Sequence, residues 1–344
     1  MASVQEKKYQ AFIKSAKNEF EMEMLNLTPE VFAAKYKHHY KHQMIYRLML
    51  EIANEKGYDF HLLFDQIGFT DEVINHFLNN KDSQLLKELS IIKSPKAYSL
   101  LLHEIQSPQI ELSFRAGFAI ACLKLSPIQQ REAIEALLSS RIVAEKVIDI
   151  MNMISPPLDE YIQVLDEQTS HRGRIILLNY LYNKISPLIT NYRYLQKKLT
   201  AQSDTIIQHI APLLQFSESV ALSAIKVLGI TGHNSALLLL LNLYKQNPSS
   251  SIKSAIASML NHFPALEVVN DLKIMAMDKD YWVRVNAYES LSDMGEVGKK
   301  AILELSATSP YPSTNFLVYQ ILSKNENLQQ YFENYKKELE EHVC

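Results

Sequence analysis

Three histidines crowd one short run, His38, His39 and His42 in KYKHHYKHQ. On a single helix His38 and His42 share a face four residues apart, the spacing of a helical metal pair. No Asp or Glu lies in the run to complete a coordination shell, and Tyr36 and Tyr40 interleave with the lysines. The competing reading is therefore a solvated basic face, and no metal or cofactor is expected. A second feature is an absence: residues 168–203 contain no Asp or Glu. That interval holds His171, Arg172, Arg174, Lys184, Arg193, Lys197 and Lys198, interleaved with Tyr180, Tyr182, Tyr192 and Tyr194. Cations alternating with aromatic rings suit an anion such as nucleic-acid phosphate, an acidic headgroup or an acidic protein. Arg172, Arg174, Arg193, Tyr194, Lys197 and Lys198 are the candidate partner-binding residues. Arg193, Lys197 and Lys198 lie four and five residues apart, which brings them toward one helix face. The competing reading packs Tyr180 and Tyr182 in the core and scatters the cations over the outer face.

Other chemistry is hard to place. The sequence has no GxGxxG, GxxxxGK[ST], GxSxG or HExxH, and its eight glycines are scattered. No catalytic residue is assigned. The formal net charge is −3, whereas a dedicated duplex binder carries a basic excess. Cys122 and Cys344 are the only cysteines, too few for a disulfide framework or a metal knuckle. They favour a reducing compartment. No apolar run approaches the length of a membrane span, the greasiest being Leu237 to Leu241. A cytoplasmic location is expected, or membrane association should the natural chain extend upstream of its Met-Ala-Ser start.

The elements that must position these residues read as helices throughout. With 47% hydrophobic and 21% charged residues in 344, the composition is that of a folded chain, and twelve prolines and eight glycines are few for tight hairpins. Tyr9, Phe12, Ile13, Ala16, Phe20, Met24 and Leu27 recur at three- and four-residue steps, one apolar stripe. Thr28 then offers a cap with Pro29 at the first helical position, and a second helix is predicted from there past Tyr40 to about Asn54. From about Ser83, helix-length segments alternate with short breaks. The clearest unit runs from Asp278 to Gly295. An Asp opens it, Val283, Ala287, Leu291 and Met294 trace one face, and Gly295 takes the left-handed C-terminal position. Degraded copies place Ala224, Ala255 and Ala116 where Ala287 sits, and 309–324 is a last weak copy.

The spacing D-x-D-x-x-V-R-x-x-A-x-x-x-L-x-x-M-G over 278–295 resembles the second helix of a bacterial HEAT repeat. The resemblance extends over 83–324 and is firmest over 205–324. It implies an all-α fold: a right-handed alpha-alpha superhelix, a solenoid of antiparallel helix pairs used mainly for macromolecular interaction. By that resemblance Arg284 ties neighbouring repeats through an acidic or carbonyl partner, with Asp280 nearby. HEAT-type iron enzymes use several His-Glu pairs, and here His103-Glu104 stands alone. HEAT-like DNA glycosylases need a basic groove that the charge balance does not favour.

The expected organisation is a helical cap over 1–82, a repeat array over 83–324 and a capping helix over 325–344. Leu328, Tyr331, Phe332, Tyr335 and Leu339 would line the inner face of that last helix. The expected function is a noncatalytic scaffold for a protein partner. Trp282 and Tyr281 could anchor that partner or pack between repeats. A nucleic-acid or anionic-surface binder using 171–198 is the alternative, and a glycosylase or lyase is remote.

Overall fold

Short caps set where each helix begins. In the computed structural model, which describes residues 17–168, 170–191, 203–311, 317–319 and 321, the Thr28 hydroxyl accepts the Val31 N–H ahead of Pro29. The described residues contain helices and no strands. Each of two compact units, 1–168 and 169–344, gathers its own contacts.

In the first unit, α1 (residues 17–26), α2 (Pro29–Tyr36), α3 (His42–Lys56), α4 (His61–Ile67), α5 (Phe69–Asn80) and α6 (Ser83–Ile92) come first. They are followed by α7 (Tyr98–Glu104), α8 (Ile110–Ala121), α9 (Pro127–Ser139), α10 (Ala144–Ile154) and α11 (Leu158–Glu167). Phe20 and Met24 of the predicted stripe are buried, and Phe32, Phe64, Phe69 and Phe77 join them in the core. Tyr9, Phe12, Ile13 and Ala16 lie outside the described residues. The single helix expected from Pro29 to Asn54 is two helices. α2 stops at Tyr36 and α3 starts at His42, because His39 Nδ1 accepts the Lys41 N–H and the backbone closes tight turns from Tyr36 to His39 and from His39 to His42. A local side-chain acceptor competes there with the helical ladder. Beyond α5, helices pack on their second neighbours: α6 on α8, α8 on α10, α7 on α9 and α9 on α11.

The second unit repeats that rule. It holds α12 (His171–Asn191), α13 (residues 203–210), α14 (Glu218–Thr231), α15 (Asn234–Lys245), α16 (Ser250–Met259), α17 (Ala265–Met275), α18 (Tyr281–Ser292) and α19 (Gly295–Thr308). One row runs α12, α14, α16, α18, each on the next, and α17 packs on α19 beside it. Counting from the N-caps Gln109, Ser217, Ser249 and Asp280 aligns four helices. The seventh residue after the cap is Ala116, Ala224, Ile256 and Ala287. The eleventh is Ile120, Leu228, Leu260 and Leu291. All eight are buried. Ala255, the residue expected to match Ala287, is only half-buried, one residue out of register. The cap fixes helix phase, and the caps of α16 and α18 lie 31 residues apart rather than the 32 that separate the two alanines. The final weak copy and the C-terminal capping helix fall mostly or wholly outside the described residues.

Close approach within the row needs small side chains and polar staples. A Cβ on Gly229 of α14 would overlap Cβ of Met259 at the end of α16. Between α16 and α18, Asn286 Nδ2 donates to the Ser254 carbonyl at 3.0 Å, and Ser290 Oγ donates to the Ala257 carbonyl at 2.7 Å. Removing a buried leucine from such a row costs about 2–5 kcal/mol.

Candidate interaction surface

The turn between α17 and α18 is built around a buried charge cluster. Asp278 and Lys253 have side chains only 7% and 10% exposed. Asp278 Oδ2 accepts from Lys253 Nζ at 3.3 Å and from the Tyr244 hydroxyl at 3.1 Å, while its Oδ1 accepts the Asp280 N–H at 2.9 Å. Burial alone would push the Asp278 carboxyl up. The Asp280 N–H, Lys253 and Tyr244 outweigh it and hold the group below the usual carboxylate range. Burial, joined by the Asp278 charge, raises the Tyr244 phenol. The helix cap itself is Asp280, whose Oδ1 accepts the N–H groups of Trp282 and Val283. Asp278, the residue that opens the sequence unit, instead ties this turn to α15 and α16.

Arg284 lies behind the turn. It is 5% exposed and donates to the carbonyl oxygens of Asp278 and Lys279 at 2.9 and 3.0 Å. Its guanidinium lies 4.2 Å from the Tyr311 ring centroid and 5.7 Å from that of Tyr281. The nearby acid, Asp280, serves α18 as its cap.

This frame presents an aromatic pair at the start of α18. The Trp282 and Tyr281 rings meet edge to face at 5.4 Å. Trp282 is 65% exposed, and Ile274, Met277 and Tyr281 around the same turn are exposed too. An uncovered tryptophan on a fixed backbone is the anchor type that dominates interface energetics. The sequence signal was present, since Trp282 is the only tryptophan. What periodicity did not reveal is that its ring stays out of the packing between helices.

The acid-free interval is described only in part. Arg172 and Arg174 lie on α12, both half-buried. Arg174 stacks on Phe216, its Cζ 3.7 Å from the ring centroid, and its Nε and Nη1 are buried without a hydrogen-bond partner, so the ring face supplies the compensation. His171 makes ring-nitrogen contacts with Ser217 Oγ at 3.1 Å and Ser219 Oγ at 2.8 Å. Tyr180 is buried and Tyr182 half-buried, and burial raises the Tyr180 phenol to about 12. Arg193, Tyr194, Lys197 and Lys198 lie outside the described residues. Tyr192 does also.

His38 and His42 are not brought together on one helix. His38 sits in the turn before α3, while His42 Nε2 pairs with Glu72 of α5 at 2.9 Å. Glu72 is an acid that the local run could not supply. Among the described residues no group of three or more His, Cys, Asp or Glu is placed to hold a metal ion. Glu104 of the lone His-Glu pair is buried and pairs with Lys81 at 2.5 Å. No described helix is long and apolar enough to cross a membrane. Neither a family model nor a curated protein sequence matches this chain, so its functional reading rests on its own residues and geometry.

Proposed function

We propose that this chain is a noncatalytic scaffold of stacked helix hairpins, of the bacterial HEAT kind, that holds a protein partner. In this reading the paired rows continue into a right-handed superhelix. The common cap-to-core register of α8, α14, α16 and α18 supports it, as does second-neighbour packing in each unit. A cytoplasmic location belongs to the same reading, supported by cysteines too few for a disulfide framework.

The observation that carries the proposal is the exposed Trp282 on a turn locked by Asp278, Lys253 and Arg284. The test is quantitative co-purification from the native cell with the wild-type chain and with Trp282→Ala as baits. At least one protein should fall roughly tenfold or more with the variant, as for a central aromatic anchor. That purified protein should then shift the emission of the single tryptophan on mixing. Identical recoveries with both baits would remove the proposal.

A further inference from the structure

The surface around Trp282 continues along one edge of the second unit. In the row α12, α14, α16, α18, residues near the starts of neighbouring helices touch, and so do residues near their ends. His171 of α12 reaches Ser217 and Ser219, Ser249 Oγ donates to Glu218 Oε1 at 2.5 Å, and Ser254 Oγ donates to the Trp282 carbonyl at 3.4 Å. Towards the other end Gly229 meets Met259, and Ser290 meets Ala257. The row is therefore parallel, and its helix starts share one edge with the turns that enter them.

Two apolar sites stand on this edge, one on each side of α16. Trp282 is the first, with the exposed Ile274 and Met277 around the same turn. The second is a groove of about 270 Å³ between the starts of α14 and α16, lined by Leu214, Gln215, Phe216 and Ile252. Phe216 is 51% exposed although Arg174 covers a face of its ring. Packed helices lie about 8–10 Å apart, so two steps across the row separate the sites by about 20 Å. About six residues of extended chain span that distance.

The charge on this edge has one sign to spare. The turns entering α14, α16 and α18 contain two acids, Asp278 and Asp280. Asp278 is held by Lys253 and Tyr244, and Asp280 caps α18. Lys245 and Lys279 are exposed and have no ion pair among the described residues. They stand in adjoining turns, because Lys245 follows Tyr244, Lys279 follows Asp278, and the Tyr244 hydroxyl donates to Asp278 at 3.1 Å. Exposed acids on the Trp282 face of α18 come only at Glu289 and Asp293, seven and eleven residues later. They oppose an acidic chain running down α18 and leave the edge as its path. A nucleic-acid strand carries a charge at every nucleotide and asks for a continuous run of cations. Two lysines beside the aliphatic Ile274 and Met277 suit a polypeptide better.

We propose that the partner anchored by Trp282 is a protein that lays an extended acidic segment along this edge. One apolar side chain packs on Trp282, a second enters the groove beside Phe216, and carboxylates face Lys245 and Lys279. The inference rests on the anchoring role proposed for Trp282.

Selection of displayed random dodecapeptides on the purified full chain tests it, followed by fluorescence anisotropy with labelled synthetic copies of the enriched sequences. These should be acidic, with two apolar side chains about six residues apart. Lys245→Glu with Lys279→Glu should weaken their binding about tenfold, and added salt should weaken it too. Phe216→Ala should also cost about tenfold. All three positions are exposed, so far-ultraviolet circular dichroism should match the parent. Because Phe216 also covers Arg174, a photo-cross-linking residue in place of Gln215 gives a second reading of the groove, labelling the peptide about six residues from its Trp282 contact. Peptides that bind equally to Trp282→Ala would remove the anchor and this inference with it. Peptides that need Trp282 but are neutral or basic, that ignore the charge reversals, or that leave the groove unlabelled would overturn the acidic segment and keep the anchor. An unenriched library would overturn it as well. So would labelled oligodeoxythymidylate that binds the parent and not Trp282→Ala, which would make a single strand the occupant.

Discussion

Asp59 shows how a single carboxylate can join distant loops. It lies between α3 and α4, its Oδ1 contacts His61 Nδ1 at 2.6 Å, and its Oδ2 accepts from Lys124 Nζ at 2.7 Å. Burial pushes this carboxyl up. Lys124, the His61 ring and the His61 N–H together outweigh burial and hold it at about 2, against 3.8 for a free side chain. A folded value below the unfolded one gives stability that is complete well above pH 3.8 and is lost as pH falls through the folded value. Lys124 is largely solvated, so screening reduces the contribution to about 1 kcal/mol. Asp59→Asn should therefore lower stability by about that much at neutral pH and flatten the stability curve between pH 4 and 2. Urea denaturation at several pH values measures both; parallel curves for parent and variant would show that the ion pair contributes nothing.

At the scale of the helix, the cap does two jobs. Asp280 satisfies the first N–H groups of α18, and it sets the phase that sends Ala287 and Leu291 inward. Asp280→Ala should cost about 1 kcal/mol, the usual value of an N-cap. The loss should appear in the denaturation midpoint and as faster amide exchange in the first turn of α18. If exchange there is unchanged, Asp280 is not the group that starts the helix. Gly295, expected as the left-handed C-terminal residue of this helix, does have φ +60°, but α18 closes earlier at Asp293 in a right-handed conformation and Gly295 is the first residue of α19.

Across the whole molecule, contacts gather into 1–168 and 169–344. Unfolding should follow that division and depart from a single two-state transition. Gly229→Ala forces a Cβ against Met259 in the second unit and should destabilise it by about 1–3 kcal/mol, as overpacking does. The half-buried thiol of Cys122 reports the first unit when Cys344 is replaced by Ser. With Gly229→Ala in that background, the circular-dichroism curve should shift or split toward lower urea while the labelling midpoint of Cys122 stays fixed. Equal shifts in both probes would mean that the chain unfolds as one cooperative body.

Local chemistry makes much of this chain readable from its residues alone. Thr28 with Pro29 and the Asp-rich opening of α18 mark helix starts because caps act over three or four residues. The all-helical class followed from apolar spacing for the same reason. Other features depend on what lies across the packing. Glu72 reaches His42 from α5, Asp278 meets Tyr244 and Lys253 from α15 and α16, and Arg174 lies on Phe216, each partner 25 to 42 residues away. The break after Tyr36 and the 31-residue register of α16 and α18 were likewise invisible to periodicity. A sequence specifies where a helix starts and which side is greasy, because those effects are local. Which charge is neutralised and which ring remains in water depends on helices far apart in the chain, and only tertiary packing decides that.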